Sequence, residues 1–343
     1  MANVFEKMAS LSSFSKRDLE EFFNGASSFA AGEVGAVLGY LLGRLDSGDA
    51  AAMVSVLRGL HPQRHIGSIG GRPTVNIVGT GGGPSTFNIT TTAAFVIAAA
   101  GEVVVKTGSG AIRSKSGFAD VASRLGTMKV SMPWDEIESI VADVGIVFVP
   151  PSHYPAEMGL LEQNLTVPVY RNAALYFNKI GPLLSPVRVD HRCIGANSMS
   201  CLQMLAGACQ ILGDTPTTLL SSEDGLDEVS SMGRTAVVQL TARGRKDESI
   251  DPRTLGVGMP SFDDLRGYEP AAAAECCERI LGGKGTAAQS EIVALNAGVV
   301  LTSLGRYTDV STGYQAALDI LRDGEALNKL RQLRARVWKC VTH

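Results

Sequence analysis

Apolar positions in residues 1 to about 65 recur at helical spacing. In SKRDLEEFFNGAS, Leu19, Phe22 and Phe23 fall on one face, the mark of an amphipathic helix. Ser15 stands where an N-cap belongs and Gly25 where the helix should stop. GEVGAVLGYLLGRLDSG and AAMVSVLRGLH continue the pattern with no alternating strand among them, which predicts an all-helical module. The texture then changes. RPTVNIVGTGGG is a short β-branched run closed by glycines, and EVVVKTGSG repeats that grammar. GIVFVPP, TTLLSSEDG and TAVVQLTARG read as further strands, with the helical stretches SGFADVASRLG and PWDEIESIVADVG between them. Strands alternating with helices predict an α/β fold with a mostly parallel central sheet and functional loops at the strand ends. Pro155 to about Leu184 breaks the alternation and is expected to pack back on the helical module. The expected division is a small helical domain over residues 1–70, joined in space by about 155–185, and a larger α/β domain over 71–343.

Composition narrows the class without naming it. The chain has 343 residues, is 45% hydrophobic and 19% charged, and carries a net charge of −3. That balance argues against a protein whose main work is coating nucleic acid. Ala93 to Ala100, among the longest apolar stretches, falls well short of the ~20 residues that cross a bilayer, and a cytoplasmic location is expected. Cys193, Cys201, Cys209, Cys276, Cys277 and Cys340 form no CxxC pair, so buried thiols are expected rather than a disulfide frame or zinc site. The eight-residue spacing of the first three is close to two helical turns.

Three loops carry candidate chemistry. Four glycines at 79, 81, 82 and 83 follow the first strand and precede a helix. Backbone N–H groups and a helix N-terminus converge there on the place where an anion would sit, and Thr86, Asn88, Thr90 and Thr91 add polar groups. The spacing is neither GxxxxGK[ST] nor GxGxxG. The second loop, VKTGSGAIRSKSG, places Lys106 at a strand tip with Gly108, Ser109, Gly110, Ser114 and Ser116 behind it, and Arg113 and Lys115 nearby. Two such loops suggest a ligand with several phosphate groups. The third, SSEDGLDEVSSMG, offers Glu223, Asp224, Asp227 and Glu228, hard oxygen ligands suited to Mg²⁺ bridging to substrate phosphates.

At these loops the chain resembles the anthranilate phosphoribosyltransferases, a family that shares its fold with the pyrimidine nucleoside phosphorylases. The family's GTGG and NxS/T-T are matched at Gly79–Gly82 and Asn88–Thr91, its lysine-glycine loop at Lys106, Gly108 and SKSG, and its FN-LGPL segment by FNKIGPLLSP. DGLDE stands unaltered at Asp224–Glu228, and ILGGKGTAAQSEIVALNAGVVLTSLGR looks like the closing helices. The resemblance spans nearly the whole chain. It implies a small helical domain hinged to a larger α/β domain, a homodimer through the helical parts, phosphoribosyl pyrophosphate (PRPP) as donor and Mg²⁺ as cofactor. It further implies a donor cradle of Gly79, Thr80, Gly81, Gly82, Asn88, Thr90, Thr91, Lys106, Gly108 and Ser114, with Lys106 and Asn88 serving positioning and electrostatics. Thr90, Asp227 and Glu228 would hold the metal. No nucleophilic side chain is called for.

Departures fall on the acceptor side. Where the family reads KHGNR, this chain reads Lys106-Thr107-Gly108-Ser109-Gly110. The family's HPAM becomes Tyr154-Pro155-Ala156-Glu157-Met158, and the arginine expected about ten residues before FN is replaced by Val167, with Arg171 out of register. Gly83 stands where the family has aspartate. Small residues do not replace a bidentate carboxylate clamp. The reading is therefore a PRPP- and Mg²⁺-dependent transferase acting on a small aromatic acceptor other than anthranilate, with Thr107, Ser109, Gly110, Tyr154 and Arg171 as acceptor-side candidates. The alternatives are an anthranilate phosphoribosyltransferase with an altered acceptor site, a nucleoside phosphorylase-like enzyme, and a non-catalytic nucleic-acid-binding relative using RQLRARVWK and the Arg113–Lys115 loop.

Overall fold

The computed structural model describes residues 2–25, 30–108, 115–155, 157 and 175–339. Helices α1 (Ala2–Ala9), α2 (Lys16–Asn24), α3 (Ala31–Arg44) and α4 (Ser47–Leu60) occupy the N-terminal stretch. Ser15 caps α2 in a capping box, with its own N–H donating to the Asp18 carboxylate at 2.6 Å, and Gly25 ends the helix. One short strand the pattern did not show, β1 (Arg64–His65), follows.

The α/β part begins at β2 (Thr74–Gly79), then α5 (Ile89–Ala99), β3 (Val103–Lys106), α6 (Phe118–Arg124), α7 (Trp134–Val144) and β4 (Ile146–Phe148). After the short helix α8 (Leu175–Ile180) come β5 (Val187–Arg188), which pairs in parallel with β1, and β6 (His191–Gly195). Helix α9 (Met199–Leu212), β7 (Thr217–Ser222), β8 (Thr235–Thr241) and β9 (Gly244–Ile250) complete the sheet. Helices α10 (Pro270–Leu281), α11 (Ala287–Ser303), α12 (Val310–Arg322) and α13 (Glu325–Lys339) close the described chain.

The main sheet runs β4-β3-β2-β6-β7-β8-β9, parallel from β4 to β7 and antiparallel beyond. Strand residues alternate between two apolar cores, as the pleat requires. Ile77, Cys193, Leu220 and Val237 face α5, α7 and α10–α13, whereas Val78, Ile194, Leu219 and Val238 face the other way. That second core contains α9, the N-terminal helices and Tyr176, Phe177, Ile180, Leu183 and Leu184. The late segment and the first helices are thus bound by one apolar cluster.

Cysteine placement corrects one expectation. Cys193 lies on β6, not on a helix with Cys201 and Cys209, so the eight-residue spacing has no helical meaning there. Cys193, Cys201, Cys209, Cys276 and Cys277 are free and buried; Cys340 lies outside the described residues. Among the described residues no helix is long and apolar enough to cross a membrane.

Candidate active site

Chain direction fixes where the site must lie. From β2 the chain builds outward through β3 to β4, and β6 then starts the other half on the opposite side of β2. At such a switch point the loops leaving adjacent strands diverge to opposite faces and open a crevice at the carboxyl ends. The glycine loop leaves β2 here, and Asn197 leaves β6 beside it.

The acidic loop after β7 packs directly onto these strand tips. Asp227 accepts a hydrogen bond from the Gly81 N–H at 2.7 Å. A Cβ on Gly79 would collide with the Asp227 carboxylate, and one on Gly195 with the Asp227 carbonyl. Gly81 and Gly82 adopt positive φ of 65° and 84°, open to glycine at little steric cost. In this state a carboxylate thus occupies an anion position at the glycine loop.

Lys106 closes β3, at the strand tip as expected, and is buried beneath the loop, its Nζ donating to Ile77 O at 2.7 Å and standing 3.5 Å from Thr90 Oγ1. Burial of a charge without a close carboxylate explains this ammonium's pKa, pushed down to about 7 against the opposing field of Glu228 and Asp227. The Asn88 side-chain oxygen accepts from Ser116 Oγ at 3.0 Å, which ties the glycine loop's helix to the second loop. Thr80 is buried and accepts from Asn197 N at 3.3 Å, and Thr91 is buried on α5. Gly108 is required because a Cβ would stand 2.9 Å from the Phe118 ring. Ser109, Gly110, Ser114 and Arg171 lie outside the described residues, as do Arg113 and Val167.

Of the four acids, two face the site. Asp224 shapes its own turn, accepting from Ser222 Oγ at 2.7 Å and from Ser230 Oγ, and exposed Glu223 accepts from Arg234 N. Thr90, Asp227 and Glu228 instead line one cavity of about 20 Å³, room for about one water. Burial raises the Asp227 carboxyl; burial and then the Asp227 charge raise Glu228 well above its ordinary value. A divalent cation beside these oxygens would relieve both effects. The donor set is all oxygen, as Mg²⁺ prefers. Among the described residues no three His, Cys, Asp or Glu side chains could hold an ion by themselves. Mg²⁺ held through one or two carboxylates and substrate phosphates needs no such cage, so these residues fit the ion.

On the β3–β4 side, Thr107 is fully buried and pairs reciprocally with Asn76. Its N–H donates to Asn76 Oδ1 at 3.1 Å and its Oγ1 accepts from Asn76 Nδ2 at 2.7 Å. The Tyr154 hydroxyl lies against Thr107, its pKa pushed up to about 12 by burial. Asn76 was not picked out from the sequence, nor were Asn197, Lys179 and Asn296. Asn296 on α11 holds the acidic loop at both backbone groups of Val229, 2.9 Å to the N–H and 2.8 Å to the carbonyl. One available signal was Lys179, the single charge inside the mostly apolar LYFNKIGPLL.

A mostly parallel sheet with an anion loop at its switch point and two acids beside it is suited to a phosphorylated ligand and a divalent cation. Residues 71–327 match the model of the glycosyl transferase family, a/b domain. An anthranilate phosphoribosyltransferase of Synechococcus sp. (strain WH7803) is 34% identical over 309 residues, covering 88% of this chain and 86% of the relative. That of Shewanella putrefaciens is 36% identical over 267 residues, covering 77% of this chain and 74% of the relative. The crystal structure of the Thermus thermophilus enzyme superposes with a TM-score of 0.82 at 26% identity, covering 97% of this chain and 99% of that one. The Saccharomyces cerevisiae enzyme in complex with PRPP and Mg shares the fold at a TM-score of 0.82 and 22% identity, covering 98% of each chain. The chain belongs to the anthranilate phosphoribosyltransferase family and is an enzyme of the phosphoribosyltransferase class. Within the basic C-terminal helix, Arg334 pairs with Glu278 and Arg336 with Asp143.

Proposed function

We propose that this protein transfers the 5-phosphoribosyl group from PRPP to a small aromatic acceptor other than anthranilate, releasing pyrophosphate, with Mg²⁺ as cofactor. The observation that carries the donor half is the glycine loop closed on Asp227 at the sheet's switch point, with Glu228 and Lys106 buried around it. The loop's N–H groups bind phosphate oxygens in place of the Asp227 carboxylate. Thr90, Asp227 and Glu228 would hold Mg²⁺, which when bound supplies positive charge to the leaving pyrophosphate. Lys106 adds its charge from beneath the loop, favouring negative charge as it develops. The C1–O bond to pyrophosphate breaks as the acceptor attacks C1, and no enzyme nucleophile intervenes. Holding the acceptor in line supplies much of the rate.

Support for an altered acceptor comes from Thr107. Its side chain carries no charge and is held by Asn76, whose Nδ2 donates to Oγ1 at 2.7 Å; a single neutral hydroxyl is a poor counterpart for a carboxylate. A second reading, transfer to anthranilate itself, is favoured by the relatives, which are anthranilate phosphoribosyltransferases at 34% and 36% identity. Pyrophosphate release from PRPP, followed with Mg²⁺ and a panel of aromatic acids including anthranilate, separates the two. The expected result is Mg²⁺-dependent release with another acid and at least a hundredfold lower kcat/KM with anthranilate. Anthranilate turnover in the ordinary range of about 10⁴ M⁻¹s⁻¹ or more would establish the second reading instead.

A further inference from the structure

Lys179 has been given no role, yet it stands at the switch-point crevice. It projects from α8, within the segment packed against the N-terminal helices, and its Nζ donates to Asn197 Oδ1. Asn197 follows β6 and touches the glycine loop twice. Its N–H donates to Thr80 Oγ1 at 3.3 Å, and its amide nitrogen lies 2.8 Å from where a Cβ of Gly82 would stand. Burial raises the Asp227 carboxyl, and the charge of Lys179 is among those opposing that rise. Lys179 is half-buried, and its one hydrogen bond among the described residues goes to a neutral amide. An ammonium so placed is under-used: a phosphate oxygen would give it an acceptor of opposite charge in place of a neutral amide.

Strand order decides which end of the reaction it serves. Thr107 and Tyr154 follow β3 and β4 on one side of β2, whereas Asn197 and Asp227 follow β6 and β7 on the other. Lys179 therefore belongs with the acidic loop and the glycine loop, away from the acceptor-side residues. We propose that Lys179 is a pyrophosphate-binding residue, carried in from the helical side and held in place by Asn197, which it leaves for the phosphate oxygens of the donor. It supplies to the crevice the mobile cation that Lys106, bound to Ile77 O beneath the loop, does not.

This inference rests on the PRPP reading, and the test keeps the two apart. Calorimetric titration with PRPP and with inorganic pyrophosphate, both in the presence of Mg²⁺, is run on the wild type, Lys179→Met and Lys179→Arg. The inference expects about tenfold or weaker binding of both ligands by K179M, the scale of one lost charge-assisted bond, with most of the affinity kept in K179R and an unchanged melting temperature in both variants. Wild-type binding with K179M equally tight would overturn the role of Lys179 and leave the transferase reading standing. Recovery failing in K179R while its melting temperature holds would also overturn it, since charge would not be what matters. No binding of PRPP by the wild type would take down the transferase reading and this inference together.

Discussion

Glu228 is the residue where function and stability pull hardest against each other. Its carboxyl is buried, and burial followed by the Asp227 charge raises its pKa well above 4.5. A carboxyl raised on folding binds its proton more tightly in the native state, so its favourable contribution is complete below about pH 4.5. That contribution is lost as pH rises through the native value. Above that range the metal-free protein therefore bears the cost either of burying the charge or of holding a proton that the unfolded chain releases. Glu228→Gln is expected to melt at or above the wild-type temperature at pH 8, with the difference closing as the pH falls toward 4.5, while Mg²⁺-dependent PRPP binding is lost. Melting curves across pH, paired with PRPP titration, check this. A lower melting temperature for the glutamine variant at pH 8 would show that the carboxylate stabilises the fold. The acid itself was readable in DGLDE. What the sequence could not separate was Asp227 and Glu228 from Asp224 and Glu223, because that depends on which way each side chain turns within one short loop.

At the scale of elements, strands made of apolar, β-branched runs were legible, whereas β1, β5, β6 and β9 were not, and the last two show why. β6 is HRCIG in sequence, and its polar His191 and Arg192 disguise a strand that is wholly buried. They are tolerated because neighbours satisfy them: His191 Nε2 pairs with Thr218 Oγ1 at 3.0 Å, and Arg192 Nε donates to Thr217 Oγ1 at 3.2 Å. β9, GRKDESI, is an exposed edge strand whose charges guard it against pairing, so it has no apolar face to announce it. Asn76 and Asn197 escaped notice for the same reason, since an asparagine's partner lies across the fold. The glycines tell more, and for two separate reasons. Gly81 needs its positive φ and has open space around it, whereas Gly195 has ordinary φ but meets the Asp227 backbone. Gly81→Ala should cost about 1–2 kcal/mol, the penalty for an L-residue in the left-handed region. Gly195→Ala should cost about 1–3 kcal/mol by overpacking and, because it pushes Asp227 off the strand tips, should abolish Mg²⁺-dependent PRPP binding. Urea denaturation with PRPP titration on both variants distinguishes strain from displacement. Retained donor binding in G195A would mean that the acidic loop need not sit where it is seen.

Across the whole molecule, one buried ion cluster ties the helical side to the sheet. Arg58 on α4 donates to Asp214 Oδ2 at 2.6 Å and twice to the Leu183 carbonyl, at 3.1 and 2.8 Å. Arg192, at the start of β6, donates to Asp214 Oδ1 at 3.0 Å. Burial works against the Asp214 charge, but Arg192 and Arg58 outweigh it and leave its carboxyl below the ordinary value. Its stabilising effect is therefore present above about pH 3.8 and lost as pH falls below that. Side-chain exposure is 15% for Arg58, 18% for Asp214 and 5% for Arg192, so solvent cannot readily take over Asp214's role. Asp214→Ala leaves two cations buried side by side and is expected to destabilise by about 3–5 kcal/mol. The double variant with Arg58→Met should regain part of that, because one uncompensated charge is then gone and an apolar stem fills its path. Chemical denaturation of the single and double variants measures both terms. The consequence reaches the crevice, since Leu183 continues the segment that begins with α8 and carries Lys179. If the ion cluster holds that segment in register with the glycine loop, D214A weakens PRPP binding under conditions where it is still folded, and the double variant recovers stability without recovering affinity. Affinity unchanged in folded D214A would show instead that the apolar cluster around Tyr176 and Phe177 positions Lys179 by itself.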